Sequence, residues 1–519
     1  MGTVDPVAFS DFMGLPAEVD YLLIERWTAT SNRAGGHTGH VVADFCDNRH
    51  LPGEMCTRLK LLRFCLVSVL VVIGVEALGT TSGSECAPGE RRETCQASAG
   101  QKPPNVILYL VDTLRPDHLG VYGAGTGASP ALDDFATKAT VFEQAWAQAS
   151  WTRPAVASIF TGMRPRTHGV NQRDSAIPAD FKTLAQRLKP LGYESAGFVT
   201  NANVGKLFGF GRGFARYELL SSPESQVGYA SSTKMVDRAL AWLDARKEDA
   251  PFFLYLHASE PHDPYAYSGQ GPEEPGTMNF MMALETGGRA STPAVRAELL
   301  ARYAKDVALA DAGFGRFVSE LTSRGLFEDS LIIFLSDHGE EFGEHGWWRH
   351  GKTLYNEQLS VPLIIRWPGG VGARQRVAWP SQQIDILPTV IAAAGAEVPA
   401  DLPGVVLGEE TMPGGRRDTP AVRSYLNLEG REIESVIQGT RKLLRYLEYD
   451  LPKPSVELFD LDRDPGELKN RAGKPGDAPA ELAALLDGGN AAGGDEIAPE
   501  SVVLDEEIDR RLRALGYIE

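Results

Sequence analysis

Cysteine is scarce in this sequence. Its five copies, at 46, 56, 65, 86 and 95, form no CxxC pair. That speaks against a cysteine-built zinc site and against a thioredoxin-like redox motif. Surplus positive charge is absent as well: 51 Lys and Arg face 69 Asp and Glu, for a formal net charge of −18. With no basic stripe to offset this balance, nucleic acid and anionic membrane surfaces are poor main partners. No stable protein partner can be read from the sequence. Internal repeats are missing too.

Long apolar runs are also lacking. The clearest uncharged run, Phe64 to Val75, is shorter than the roughly 20 residues that a bilayer span needs. Arg58, Lys60 and Arg63 precede it, and Ala77-Leu78-Gly79 follows. A basic front, a short apolar stretch and small residues make a secretory signal. We therefore expect a signal peptide over 55–79, a start at Met55, and an upstream segment, 1–54, that builds no structure. A periplasmic or secreted product follows; anchoring in a membrane by residues 64–75 is the alternative. Cleavage near Gly79 would leave Cys86 and Cys95, which could form one small disulfide in an oxidising compartment.

The remaining composition is that of a globular protein, 43% apolar and 23% charged. Residues 80–104 are polar and rich in Gly, Ser and Pro, as in a linker. From Asn105 onward, strand-length apolar runs alternate with helical patterns: NVILYLVD (105–112), YESAGFVT (193–200), PFFLYLHASEPH (251–262), SLIIFLSDHG (330–339) and VPLIIRWPG (361–369). Near-continuous apolar strands between helices predict an α/β fold with a mostly parallel central sheet, covered by helices on both faces, over 105–395. Helices are expected at 232–246, 295–324 and 384–394. Shorter strands separated by turn residues predict a smaller α+β subdomain within 396–519, closed by a helix over EEIDRRLRALGYIE.

Ligands of open α/β sheets sit outside the carboxyl ends of the strands. The residues there are Asp112, His257, His262, Asp337 and His338. A carboxylate at the end of a buried strand is costly unless it is paired, hydrogen-bonded or bound to a cation. Two such carboxylates with an imidazole suit a divalent metal. Each taken alone reads better as a turn or cap residue. Thr152 stands just before Arg153-Pro154 and a short helical pattern, at or beside a helix start where backbone N–H groups favour an anion. A plain cap is one reading of it, and a nucleophile activated by a metal is the other. The loop SDHGEEFGEHGWWRHGKTLY crowds His338, His345, His350 and Lys352 between two strands, in a chain with only ten histidines.

Together these segments resemble the sulfatase family of the alkaline phosphatase superfamily, from Asn105 to about Ala472. NVILYLVDTLRPDHLGVYG resembles its first strand with the metal aspartate, and SIFTGMRPRTHGV the helix and turn after its nucleophile. LHASEPHDPY resembles its histidine loop, and SDHGEEFGEHG…HGKTLY its second metal segment. QIDILPTVIAAAG and ELFDLDRDPGELKNRA match its closing landmarks. The resemblance implies one divalent metal, Ca²⁺ by family with Mn²⁺, Mg²⁺ or Zn²⁺ as alternatives. Its ligands would be Asp112, Asp337, His338 and the nucleophile position, Thr152. His262 would act as general acid and Lys352 would neutralise the transferred group. His345 and His350 are substrate-contact candidates.

The sequence departs from the family in several places. Sulfatases carry Cys or Ser, matured to formylglycine, where Thr152 stands; Ala155 and Val156 replace the usual serine and arginine. Threonine cannot become that aldehyde, so the hydrate mechanism is not expected. Thr113 occupies a position that often holds a second metal aspartate, and VTNANVGKLFGFGRGF replaces a GKWH-like segment. Relatives with two metals use an Asp-x-x-x-His helix segment, but Asp311 here is followed by Gly315, which favours one metal. Threonine nucleophiles in the superfamily go with phosphodiester chemistry. The expectation is therefore a hydrolase or transferase of phosphate or sulfate esters, with phosphodiesters favoured and a small-molecule, glycan or lipid ester as substrate. A sulfatase working without formylglycine and an inactive anionic-glycan binder are the alternatives.

Overall fold

The computed structural model describes residues 102–125, 127–221, 230–246, 250–265, 278–408, 420–449, 455–472, 479–488, 500–504 and 506–514. The upstream segment, the signal peptide, Cys86, Cys95 and nearly all of the linker lie outside the described residues. No helix among the described residues is long and apolar enough to cross a membrane.

Nine strands build the central sheet: β1 (Asn105–Val111), β2 (Thr140–Trp146), β3 (Glu194–Val199), β4 (Arg216–Leu219), β5 (Phe252–Ala258), β6 (Ser330–Ser336), β7 (Ser360–Arg366), β8 (Arg376–Val377) and β9 (Ser381–Gln382). Their order is β8-β2-β7-β6-β1-β5-β3-β4, with β9 also paired to β2. β1 runs parallel to β5 and β6, and β3 runs parallel to β4 and β5. Only β7 opposes its neighbours, β2 and β6. The expected mostly parallel sheet is present.

The near-continuous apolar runs have a simple cause. Successive side chains of a strand point to opposite faces, and both faces are covered here. Val106, Leu108 and Leu110 of β1 join one core cluster, while Ile107, Tyr109 and Val111 join the other. Leu331, Ile333 and Leu335 against Ile332 and Phe334 repeat the pattern in β6. Each fully buried Leu or Ile contributes about 1.5–3 kcal/mol, so the three central strands anchor whatever is mounted on their ends.

The flanking helices include α1 (Thr152–Thr161), α2 (Ser232–Ala245), α3 (Met278–Glu285), α4 (Pro293–Ser323) and α5 (Ile386–Ala393). The ten-residue α1 is wholly buried and stops at Gly162, whose φ of 72° is a left-handed conformation that suits glycine. A second, antiparallel sheet follows, in the order β10 (Val422–Leu428), β11 (Arg431–Gln438), β12 (Arg441–Glu448) and β13 (Val456–Asp460). Gly439, at φ 61°, makes the expected turn between β11 and β12. Leu482 and Leu486 of α6 (Ala480–Gly488) pack on Val436 and Leu443 of this sheet. The closing helix, α7, spans Glu506–Ala514.

Candidate functional site

The parallel strands β1, β3, β5 and β6 end on one edge of the sheet. Val111 is in register with both Ala258 and Ser336, and Val199 with His257. The residues that follow, Asp112, Asn201 and Asp337, therefore arrive side by side with His257. All four side chains are fully buried. The polar residues gather there because the chain runs out of sheet at that point, not because they are neighbours in sequence.

Asp112 and Asp337 are each held by one oxygen. Asn201 Nδ2 donates to Asp112 Oδ2 at 2.6 Å, and His257 Nε2 lies 3.2 Å from the same atom. Asp337 Oδ1 accepts from the backbone N–H groups of His338 (2.9 Å) and Thr113 (3.2 Å). Thr113 adopts a φ of 55°, uncommon for a branched residue, and its amide is one of these two donors. The other two oxygens, Asp112 Oδ1 and Asp337 Oδ2, are buried and have no hydrogen-bond donor among the described residues. His338 Nε2 faces both, at 3.7 and 3.4 Å. His338 Nδ1 meets the Gly339 carbonyl at 2.9 Å, which places the ring proton there and the lone pair on Nε2. Two orphaned carboxylate oxygens beside the His338 imidazole lone pair fit a divalent cation, and Asp112, His257 and Asp337 each place one donor atom within 4.8 Å of the others.

The electrostatics agree with that geometry. Burial alone would raise Asp112, but His262, His257 and His338 outweigh it and hold the carboxyl down at about 2. Burial and the nearby Asp112 charge instead push Asp337 up. Two carboxylates this close resist ionising together unless a cation joins them.

Thr152 is the first residue of α1, and Trp151 occupies the cap position without a side-chain cap. Thr152 Oγ1 lies 3.2 Å from His338 Nε2, so the hydroxyl points into the carboxylate pocket. Its neighbour Arg153 fixes the helix start. That guanidinium lies 3.5 Å over the Phe208 ring and donates to Asn203 Oδ1 at 2.8 Å. Asn201 Oδ1 in turn accepts from the Asn203 amide at 2.9 Å. The segment that replaces the family's GKWH-like stretch thus braces both Thr152 and Asp112.

Beside this pocket stand His262 and His350, both buried. The His350 ring lies 4.5 Å from that of His338 and 4.9 Å from that of His262. Glu340 Oε1 meets His350 Nδ1 at 2.9 Å. Burial, then the neighbouring His338 and His262, push His350 well below the ordinary histidine range. Arg349 Nε approaches Asp263 Oδ2 at 2.9 Å. Lys352 pairs with Glu285 at the end of α3 and lies near the Trp347 ring. Burial lowers the Lys352 ammonium, and Glu285 opposes that shift.

The structure thus gathers Asp112, Thr152, Asp337, His338, His262 and His350 in one chain of contacts, with Lys352 held beside Arg349 through Glu285. His345 goes elsewhere. It stacks on Tyr355 with ring centres 3.6 Å apart, its Nδ1 meets Glu357 Oε1 at 2.6 Å, and its Nε2 meets the Glu467 carbonyl at 3.2 Å. Asp311 accepts the Ala131 and Leu132 amides at the start of a short helix, a structural task. Asn201, Glu285 and Glu340 were not singled out from sequence. Only Asn201 carried a signal, as a polar residue just past a strand run.

A family model described as Sulfatase matches residues 104–396, and one described as N-sulphoglucosamine sulphohydrolase, C-terminal, matches 343–486. A Delta 4,5-hexuronate-2-O-sulfatase of Bacteroides thetaiotaomicron is 25% identical, over 76% of this chain and 90% of the relative. The human Iduronate 2-sulfatase is 24% identical, over 72% and 83%. Among solved structures, a 2-O GAG sulfatase superposes with a TM-score of 0.64 at 22% identity, covering 80% of this chain and 96% of that one. A phosphonate monoester hydrolase of Agrobacterium radiobacter gives 0.61 at 23% identity, covering 77% and 100%.

Proposed function

The chain belongs to the sulfatase family, and from that premise we propose a metal-dependent hydrolase of anionic esters that uses Thr152 as nucleophile. One observation carries the reading. A buried hydroxyl at a helix N-terminus lies 3.2 Å from His338 Nε2, beside two carboxylate oxygens that lack donors among the described residues. Asp112, Asp337, His338 and Thr152 would hold the metal. When bound, it makes the threonine hydroxyl acidic enough to attack near neutral pH.

The chain's own groups supply the rest. Asn201 and His257 fix the rotamer of Asp112. His338 Nε2 and Thr152 Oγ1 lie 3.2 Å apart, so the two donor atoms already face one another. The start of α1 favours the equatorial oxygens of the ester, and Lys352 and Arg349 add positive charge nearby. Thr152 Oγ1 loses its proton to solvent and bonds to phosphorus or sulfur as the ester bond to the leaving alcohol breaks. His262, as general acid, protonates the leaving oxygen. Water then cleaves the threonine ester, giving inorganic phosphate (or sulfate, or a monoester) and the free hydroxyl.

The identity of the nucleophile bears on the substrate. A formylglycine hydrate can release its bound group by collapsing to the aldehyde; a threonine ester must be attacked at the central atom. Phosphorus suits that step, so phosphodiesters are favoured. The relatives' names support a second reading, a glycan sulfate ester cleaved by the same threonine. Aryl phosphate monoester, phosphate diester and sulfate ester substrates, assayed on wild type and Thr152→Ala, test the reading. Full turnover by Thr152→Ala would remove the threonine from the mechanism, and sulfate turnover above diester turnover would reverse the substrate preference. The export pattern from Met55 supports a periplasmic or secreted enzyme, which N-terminal sequencing of native protein checks.

A further inference from the structure

We propose that Asp263, clamped by Arg349, is a positioning residue that turns His262 towards the leaving oxygen. Two acceptors of Asp263 lie on one side of the imidazole. Its backbone carbonyl meets His262 Nδ1, and its carboxylate Oδ1 lies 3.2 Å from the same nitrogen. A ring proton on Nδ1 is thereby fixed, and proton transfer falls to Nε2. The other carboxylate oxygen, Oδ2, lies 2.9 Å from Arg349 Nε. All three residues are buried, where a charge is costly unless it is paired. A carboxylate behind a histidine orients the ring and offsets the charge it carries while Nε2 holds a proton.

Both ends of this clamp are mounted on the framework that carries the nucleophile. The His262 amide donates to the Ser259 carbonyl at 2.7 Å, and Ser259 Oγ pairs with Thr200 Oγ1 at 2.7 Å, just past the ends of β5 and β3. Arg349 lies on a two-residue strand, Trp348–Arg349, paired antiparallel with Glu341–Phe342. Its φ of 70° is a left-handed conformation uncommon outside glycine. Such a backbone cost persists only where the surrounding structure imposes it, and it clusters at working sites. Two residues on, Gly351 donates to the Ser150 carbonyl at 2.8 Å, just ahead of α1. Arg349 Nη1 also lies 3.8 Å from Glu285, the partner of Lys352. One ionic chain therefore runs from the acid to the lysine.

The role rests on His262 being the general acid of the proposed reading. In that step the His262 Nε2–H bond breaks and the O–H bond of the leaving alcohol forms. The ring is left neutral, its remaining proton on Nδ1 against Asp263. A general acid matters most for poor leaving groups, so the test compares kcat/KM for 4-nitrophenyl and unsubstituted phenyl esters, as phosphate diesters and as sulfates. Asp263→Asn removes the carboxylate charge at nearly constant volume. It slows the phenyl ester by about 10²-fold or more and the nitrophenyl ester far less. Arg349→Lys keeps a positive charge, loses the Nε contact and shifts the same ratio by a smaller factor. A merely structural change slows both esters alike, so equal losses on both, or no loss, in Asp263→Asn overturns the inference. Nitrogen NMR of histidine-labelled wild type needs no variant to fold; it shows a protonated Nδ1 on His262, and an unprotonated Nδ1 also overturns the inference. If His262→Gln leaves the ester ratio unchanged, the general-acid reading falls and takes this role with it. If His262→Gln changes the ratio and Asp263→Asn does not, only the positioning role falls.

Discussion

Replacing Asn201 with alanine isolates the support behind Asp112, a proposed metal ligand. The substitution deletes the 2.6 Å hydrogen bond to Asp112 Oδ2 and removes no proposed metal ligand. A hydrogen bond to a charged, buried acceptor contributes about 1.5–3 kcal/mol, and about 1.4 kcal/mol is tenfold in an equilibrium constant. His257 still contacts the same oxygen at 3.2 Å, so the lower part of that range applies. We expect Mn²⁺ binding at the Asp112–Asp337 site to weaken by about 10–30-fold. Asn201 also accepts from the Asn203 amide at 2.9 Å, so a modest loss of stability accompanies the change. Free Mn²⁺ counted by electron paramagnetic resonance during titration reads the affinity directly. Turnover should recover at high metal concentration. Unchanged affinity would show that Asp112 needs no support from Asn201, and lost affinity without metal rescue would show that Asn201 does more than orient.

Three further expectations follow from the same contacts. Glu285→Gln removes the carboxylate that pairs with Lys352 and approaches Arg349, so inorganic phosphate should inhibit more tightly, by about 3–10-fold; an unchanged inhibition constant would place both cations away from the anion. Glu357 raises the His345 pKa despite burial. A raised folded value gives stability that is complete below the unfolded pKa, about 6.5, and is lost as pH rises through the folded value. His345→Gln should therefore cost more stability at pH 6 than at pH 9, by on the order of 1 kcal/mol in urea titrations; equal costs at both pH values would contradict the pairing. Chelation followed by dialysis should abolish turnover, and added divalent metal should restore it; full activity in the metal-free protein would exclude the cation from the reaction.

The central strands were legible in the sequence because burial on both faces removes the polar alternation that blurs weaker strands. Asp112 and Asp337-His338 were legible for the opposite reason, as charges stranded at the ends of such runs. Thr152 was ambiguous, since a helix start explains a threonine without any chemistry. Its 3.2 Å approach to His338, across 186 residues of sequence, is what supports the proposed nucleophile over a plain cap. His345 shows the limit of composition as a guide. It shares a Gly-rich loop with His338 and His350, yet the loop turns and hands it to Glu357, Tyr355 and the Glu467 carbonyl. Asn201 and Glu285 are chosen by sheet register and by the placement of α3, which a linear reading does not contain.

The central claim is that the ester group passes through Thr152. Rapid acid quenching during turnover, followed by peptide mass analysis, tests it most directly. The account predicts a phosphoryl or sulfuryl adduct on the peptide containing Thr152, formed no slower than product and absent from Thr152→Ala. Steady turnover by Thr152→Ala, with no adduct on the wild-type peptide at any time, would contradict it.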